Sequence, residues 1–245
     1  GGLPLPGANH FSAARMIRGI LFFALALLAA PGWAAPPPRV QLEFSVSSGS
    51  MDLGEGRDVL EHDGKTYSVS SELKTVGVAA ILYKLDIRRQ SNGLVTRNGL
   101  RPLHFEEART RKPRRAVDFD WEANTIKLTD GDKVETLPLP ANTYDQTSFT
   151  YAFAFKGSLD DLPPVNLTDG RKLSDYKYQV VGKEKLKTPI GELEAVHIRK
   201  VQDADDKRGF EVWLSAAHHN LPVRIRYVEK NGQIIDSTIT RITYQ

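Results

Sequence analysis

Two stretches of the chain decide its predicted fold: YKYQVVGKEKLKTPIGELEAVHIRK (176–200) and GFEVWLSAAHHNLPVRIRY (209–227). Apolar and polar residues alternate along most of their length, which is the pattern of strands that bury one face and expose the other. Three strands follow in succession, and Leu221-Pro222 begins the last one. The pattern predicts an antiparallel meander between Lys172 and Tyr227.

The same alternation recurs towards the N-terminus, where polar residues separate Val40, Leu42 and Phe44. Residue pairs that favour turns, such as Asp63-Gly64, separate the apolar runs. We count about ten to twelve strands at roughly ten-residue spacing, as in antiparallel sheets. The sequence therefore predicts an all-β, mainly antiparallel fold: a single curled meander sheet that forms a barrel, a half-barrel or a sandwich, with one or two short helices.

Two apolar segments break the alternation and supply the predicted helices. Residues 76–83 (VGVAAILY) carry no charge and form either a short helix at an open end of the sheet or a fully buried strand. The second segment, residues 144–155, contains near its start Asp145, a favourable N-cap. Phe149 and Phe153 fit a helical stripe, although the aromatic residues of this segment also alternate. We favour a short helix that plugs the apolar interior.

The N-terminal region has the pattern of a secretory signal peptide. Met16 is the favoured start, Arg18 supplies the positive charge, and residues 19–30 form an apolar run of twelve. A membrane-spanning helix needs roughly 20 such residues. Small residues at Gly32 and Ala34 place the cleavage after Ala34. An uncleaved membrane anchor is the alternative interpretation.

This pattern divides the chain into a spurious extension (1–15), a signal peptide (16–34) and a single β-rich periplasmic domain (35–245) with no transmembrane anchor after cleavage. The chain has no cysteine, which excludes disulfides, thiolate metal sites, cysteine nucleophiles and a lipid-modified N-terminal cysteine. An exported, cysteine-free chain suits the bacterial periplasm, where stray thiols are oxidised.

The charge balance argues against a nucleic-acid partner. The whole chain has 33 basic and 30 acidic residues. Removal of Arg15 and Arg18 with residues 1–34 leaves 31 basic residues against the same 30 acidic ones. Nucleic-acid-binding domains carry a strong basic excess, so we expect no nucleic-acid binding.

Several short motifs resemble an exported bacterial family, domain of unknown function 3108. They are GLRP (99–102), DFDW (118–121), YAF (151–153), TPIGE (188–192), EVWL (211–214) and LPVRI (221–225). The resemblance extends over nearly the whole mature chain. It implies a β-rich envelope protein with a signal peptide, and it does not identify any catalytic residues.

One candidate site is a basic cluster that consists of Arg109, Arg111, Lys112, Arg114 and Arg115. Guanidinium groups pair bidentately with phosphate, so such a cluster suits an anionic headgroup. The alternative, which we favour, is a solvated hairpin tip whose charges protect a sheet edge.

A second candidate site is an apolar cavity inside the curled sheet. Its predicted lining residues are Val78, Ile81, Leu82, Phe149 and Phe153. Curled sheets with helical plugs often hold apolar ligands. The alternative is that these side chains simply fill the core.

The remaining polar residues fit structural roles better than catalytic ones. His218-His219 fits a polar turn before Leu221-Pro222, and His197 fits a core histidine with a backbone partner. Asp118 and Asp120 alternate with apolar residues and so belong to a solvent face. We find no phosphate loop, nucleophile elbow or metal-binding motif. The sequence predicts no enzyme, no cofactor and no metal.

Two functional hypotheses follow from these observations. In the first, a non-catalytic periplasmic β-domain binds an apolar or amphipathic envelope component, such as a lipid. In the second, the protein is a structural or assembly factor that contacts an envelope protein through its strands or its basic hairpin. A hydrolase is the least favoured class, because no activated nucleophile emerges from the residue spacing.

The signal-peptide prediction has a direct test. Expression of the chain from Met16 in a Gram-negative host should yield a periplasmic protein whose intact mass and N-terminal sequence begin at Ala35. A protein that keeps residues 16–34 and sediments with membranes would contradict this prediction.

Overall fold

The computed structural model describes residues 35–82, 84–202 and 206–245. The predicted signal peptide and the predicted extension lie outside the described residues. The described strands are β1 (Arg39–Ser48), β2 (Met51–His62), β3 (Thr66–Thr75), β4 (Asp86–Thr96), β5 (Gly99–Arg109), β6 (Arg115–Asp120), β7 (Thr125–Asp130), β8 (Lys133–Pro138), β9 (Thr143–Asp145), β10 (Val165–Thr168), β11 (Leu173–Tyr176), β12 (Tyr178–Thr188), β13 (Gly191–Lys200), β14 (Gly209–Ser215), β15 (Leu221–Val228) and β16 (Ile234–Tyr244).

The described helices are short. They are α1 (Gly77–Leu82) and α2 (Gln146–Ala152), and 3₁₀ turns occupy Phe153–Phe155 and Ala216–His218. In this part of the chain, no helix has the length and apolar character needed to cross a bilayer.

Thirteen strands form one antiparallel sheet in the order β12-β13-β14-β15-β16-β1-β2-β3-β4-β5-β6-β7-β8. Neighbours in the sheet are also consecutive in sequence, except where β16 pairs with β1 and places Val40 opposite Tyr244. The predicted antiparallel meander is therefore confirmed. The other three strands form a small sheet, β11-β10-β9, in which β9 and β10 are parallel.

The large sheet curls around α2. This helix contacts β3, β4 and β5, and it also contacts β15. Strands β16, β1 and β2 separate β15 from β3 in the sheet order, so all of these contacts require the sheet to bend around the helix. The predicted curled sheet with an internal helix is confirmed.

Asp145 determines where α2 begins. Its backbone is extended, and its Oδ1 accepts hydrogen bonds from the backbone N–H groups of Thr147 (2.9 Å) and Ser148 (2.8 Å). These groups lack partners within the helix, so the cap satisfies them in a buried setting. Ser91 on β4 donates to the other carboxylate oxygen at 2.7 Å. One side chain thus both starts the helix and attaches it to the sheet.

The core follows the period-two pattern of the strands. In β1, Val40, Leu42, Phe44 and Val46 are buried and the residues between them are partly exposed. The main apolar cluster lies between the curled sheet and α2, and a smaller one around Phe105 lies under β5 to β8.

We expect Asp145→Ala to lower the free energy of unfolding by about 1–3 kcal/mol, because it leaves two buried N–H groups and the Ser91 hydroxyl without their acceptor. Asp145→Asn keeps one acceptor oxygen, so it should lower the free energy of unfolding by less. Urea unfolding followed by circular dichroism measures the change. Asp175→Ala, on the exposed side of β11, is the matched control. Equal stability of the Asp145→Ala and control variants would contradict this account of the helix.

Candidate ligand-binding site

A row of polar side chains crosses the inner face of the sheet from β2 to β7. Strand pairing places its members opposite one another in successive strands. We call this set the inner polar row: Asp58, Ser71, Arg89, Glu107, Arg115 and Asp130.

Alternating charges stabilise the row. Glu107 is 1% exposed and accepts hydrogen bonds from Arg89 Nε at 2.7 Å and Arg115 Nη1 at 3.1 Å. Arg115 also bonds Asp130 at 3.3 Å and lies 3.6 Å from Asp169. A buried charge without a partner costs several kcal/mol, so each member of the row depends on its neighbours.

Helix α2 lies over this row and bonds to it at two points. Tyr151 donates its hydroxyl proton to Asp58 Oδ2 at 2.5 Å, and Gln146 Nε2 donates to Glu107 Oε2 at 3.2 Å. Burial raises the pKa of the Asp58 carboxyl, although Ser71, Tyr151 and Arg89 act in the opposite direction. The interior therefore favours the neutral form of this acid.

A first cavity, of about 200 Å³, lies on one side of α2. We call it the aromatic cavity because five rings contribute to its wall: Phe149, Tyr176, Tyr178, Phe210 and Tyr227. The Phe149 ring lies 4.6 Å from that of Tyr178, and the Phe210 ring lies 5.2 Å from that of Tyr227. Rings at these separations form a rigid apolar wall.

The aromatic cavity has one polar side. Lys200 is 5% exposed; its Nζ lies 2.9 Å from Asp206 Oδ2 and 4.3 Å from the centre of the Tyr176 ring. Arg208 also bonds Asp206, and this bond is the main reason that the pKa of Asp206 is lowered. The wall is thus apolar on one side and ionic on the other, which suits a ligand that is itself amphipathic.

A second cavity, of about 300 Å³, lies on the other side of α2. We call it the arginine cavity because Arg89 and Arg109 both contribute to its wall, together with Asp58 and Tyr151. The two cavities share Gln146 and Tyr227 as wall residues. The remaining wall combines hydroxyl and apolar groups, among them Ser71, Thr147, Thr150, Phe44, Val46 and Ile235.

The predicted apolar lining is corrected in part. Val78 and Ile81 are 71% and 84% exposed, so they do not line an interior cavity. Helix α1 directly follows β3 and contacts β2, and it leaves these two side chains exposed to solvent. The side chain of Leu82 lies outside the described residues. Phe149 does line the aromatic cavity, and Phe153 is packed in the main core.

The predicted basic cluster is not one patch. Because side chains alternate between the two faces of a strand, Arg115 lies in the inner polar row and Arg109 lies in the wall of the arginine cavity. Arg114 pairs with Glu106, while Arg111 and Lys112 are exposed at the hairpin tip. The five cations therefore do not form one anion-binding cluster, and the favoured interpretation, a solvated hairpin tip, describes Arg111, Lys112 and Arg114 but not Arg109 and Arg115.

His197 is buried as predicted, but its expected backbone partner is wrong. Its Nδ1 lies 2.7 Å from Glu184 and its Nε2 lies 2.6 Å from Glu211. These carboxylates come from the flanking strands β12 and β14, and the ring stacks on Trp213 at 4.2 Å. Neither ring nitrogen is left to act on a substrate.

The other histidines and the exposed acids also have local partners. His218 lies in the turn predicted for it, with Nδ1 2.8 Å from the Tyr244 hydroxyl. His104 lies between Glu106 and Asp118; burial opposes its charge, but the two carboxylates outweigh burial and raise its pKa. Among the described residues, no group of three or more metal-ligating side chains is arranged to hold a metal ion.

Sequence reasoning does not single out two acids of the inner polar row, Glu107 and Asp58, although both lie inside the curled sheet and Asp58 also lines the arginine cavity. The period-two rule contains the signal, because Glu107 is two residues from buried Phe105 and Asp58 is two residues from buried Leu60. Continuation of the alternation across a charged residue would have placed both inside.

The fold is a curled antiparallel sheet around an internal helix, and comparisons with known proteins agree with it. The chain matches the profile of the family described as protein of unknown function (DUF3108) over residues 43–240. It belongs to this family. No curated protein matches the chain.

One solved structure shares the architecture at low sequence identity. A β-barrel-like protein of domain of unknown function DUF1849 from Brucella abortus has a TM-score of 0.55 at 11% identity, with 86% of this chain and 99% of that chain covered. A lipoprotein candidate from Parabacteroides distasonis has a TM-score of 0.40 at 11% identity, with 86% and 98% covered. The first likeness supports the fold alone, and the second is too weak to support an argument.

The raised pKa of Asp58 links folding to proton uptake. The ionised form of Asp58 destabilises the folded protein in full above the folded-state pKa, and this effect declines as the pH falls from that value to the lower pKa of the unfolded state. We therefore expect Asp58→Asn to gain stability over the wild type, with a gain that grows as the pH rises from acid to neutral.

Urea unfolding at a series of pH values measures this gain. Asp52→Asn, at an exposed position of the same strand, is the control and should show no such trend. A gain that shrinks with rising pH would refute the assignment of Asp58 as a buried acid with a raised pKa.

Proposed function

We propose that the protein is a non-catalytic binding domain of the bacterial periplasm that holds an apolar or amphipathic envelope molecule inside its curled sheet. The aromatic cavity receives the apolar part of this molecule. Phe149, Tyr178, Phe210 and Tyr227 supply rings that stay fixed by packing on each other, so little side-chain freedom is lost when a ligand binds.

The aromatic cavity is the single observation that carries this proposal. Its volume, about 200 Å³, exceeds the roughly 30 Å³ that one water molecule occupies in the liquid. Its wall joins rings to the ion pair of Lys200 and Asp206. Pockets of this composition favour ligands with an apolar body and a polar end.

The histidine geometry favours binding over hydrolysis. A general base needs a free nitrogen within hydrogen-bond reach of a nucleophile. The ring nitrogens of His197 and His104 each face a carboxylate oxygen, at 2.6–3.0 Å. The periplasmic location rests on the signal-peptide pattern and on the absence of cysteine.

Binding of an uncharged aromatic probe tests the proposal. N-phenyl-1-naphthylamine should bind the mature protein saturably with enhanced fluorescence, and mass spectrometry of protein isolated gently from the periplasm should detect a co-purified lipid. We expect Phe210→Ala to weaken probe binding by roughly two- to tenfold, since a stacked ring contributes roughly 0.5–1.5 kcal/mol.

Tyr244→Ala is the matched control. It removes an aromatic ring from an exposed position outside the aromatic cavity, and it should leave probe binding unchanged. Unfolding midpoints would establish that both variants are folded. Absence of saturable binding, together with absence of any co-purified apolar molecule, would refute the proposed function.

A further inference from the structure

The two arginines of the arginine cavity differ in how completely they are paired. Arg89 Nε donates to Glu107 Oε2 at 2.7 Å. Arg109 Nη1 lies 3.9 Å from Glu107 Oε1, which is too long for a hydrogen bond. Arg109 Nε is buried and has no hydrogen-bond partner among the described residues. A buried N–H without an acceptor is rare in folded proteins and calls for an explanation.

Three arginines compete for one buried carboxylate near this point. Glu107 hydrogen-bonds Arg89 and Arg115, while the Arg109 guanidinium lies farther away, at 3.9 Å. Arg115 has further partners in Asp130 and Asp169. Arg109, whose side chain is 34% exposed, therefore has no acid at hydrogen-bond distance among the described residues.

Three acids also belong to the cavity wall, and among the described residues none of them forms an ion pair with Arg89 or Arg109. Asp58 accepts a hydrogen bond from Tyr151. Glu72 is paired with Lys74 and lies within 3.9 Å of Arg88. Glu229 also belongs to the wall; it follows β15, at the turn that leads to β16.

We propose that Arg89 and Arg109 bind the acidic group, a carboxylate or a phosphate, of the molecule whose apolar part occupies the aromatic cavity. This inference rests on the proposed function. The two cavities share Gln146 and Tyr227 as wall residues and therefore adjoin each other, which places the two arginines beside the aromatic cavity. Guanidinium groups offer planar pairs of donors that match carboxylate and phosphate oxygens.

A matched pair of probes separates charge recognition from apolar binding. The pair is 11-(dansylamino)undecanoic acid and its methyl ester, which share one apolar body and differ in the acidic group. We expect the wild-type protein to bind the acid at least tenfold more tightly than the ester. Arg109→Gln should reduce acid binding about tenfold and leave ester binding unchanged, whereas Phe210→Ala should weaken both probes alike.

Arg114→Gln is the matched control, because Arg114 is a nearby arginine on the outer surface of the hairpin. It should bind both probes as the wild type does. Equal binding of acid and ester to the wild type would overturn this inference and leave the proposed function intact. If neither probe binds, the result counts against both this inference and the proposed function.

Competition identifies the acidic group. Dodecanoate and dodecyl phosphate are tested separately for displacement of the bound acid probe, with dodecanol as the uncharged reference. Stronger displacement by either anion than by dodecanol supports the inference and shows which group the arginines prefer. Displacement by dodecanol as effective as by both anions would overturn it.

Discussion

The fold depends on one buried carboxylate. Asp145 accepts two backbone hydrogen bonds at the start of α2 and a third from Ser91 on β4, so it fixes a seven-residue helix against the inner face of the sheet. Burial raises the pKa of this acid, which means that its ionised form is stabilised only by these donors. A helix this short is unstable alone in water. Its position inside the curl therefore comes from the cap and from packing.

The inner polar row explains why the interior of the sheet is not a solid apolar core. Glu107 and its arginine partners need hydrogen bonds, and α2 supplies some of them through Gln146 and Tyr151. Side chains committed to these bonds cannot also collapse into the space beside the helix. Two cavities remain, one lined by packed aromatic rings and one by two arginines. The division into an apolar and a charged compartment is the basis of the proposed amphipathic ligand.

The local sequence predicted the existence of the strands well, but it predicted the strand ends and bulges less well. The alternating meander, the helix at Asp145 and the turn at His218 all follow from nearest-neighbour patterns. The pair Asn92-Gly93 is typical of a turn at the end of a strand, yet β4 continues to Thr96. Gly93 instead marks a bulge where a Cβ would lie 2.2 Å from the Arg101 carbonyl oxygen. A close backbone approach of this kind depends on the neighbouring strand, so the glycine alone does not reveal it.

The sequence by itself determined an all-β, antiparallel chain with an internal helix, because burial with period two and helix capping act over a few residues. The tertiary structure decided which charges lie inside. Arg115 and Arg114 are adjacent, yet one belongs to the inner polar row and the other to the outer surface. Likewise α1 has a fully apolar sequence but is exposed, and Glu107 is charged but buried. The curl of the whole sheet sets these positions by bringing both β15 and β3 into contact with α2, an arrangement of distant residues that no local pattern encodes.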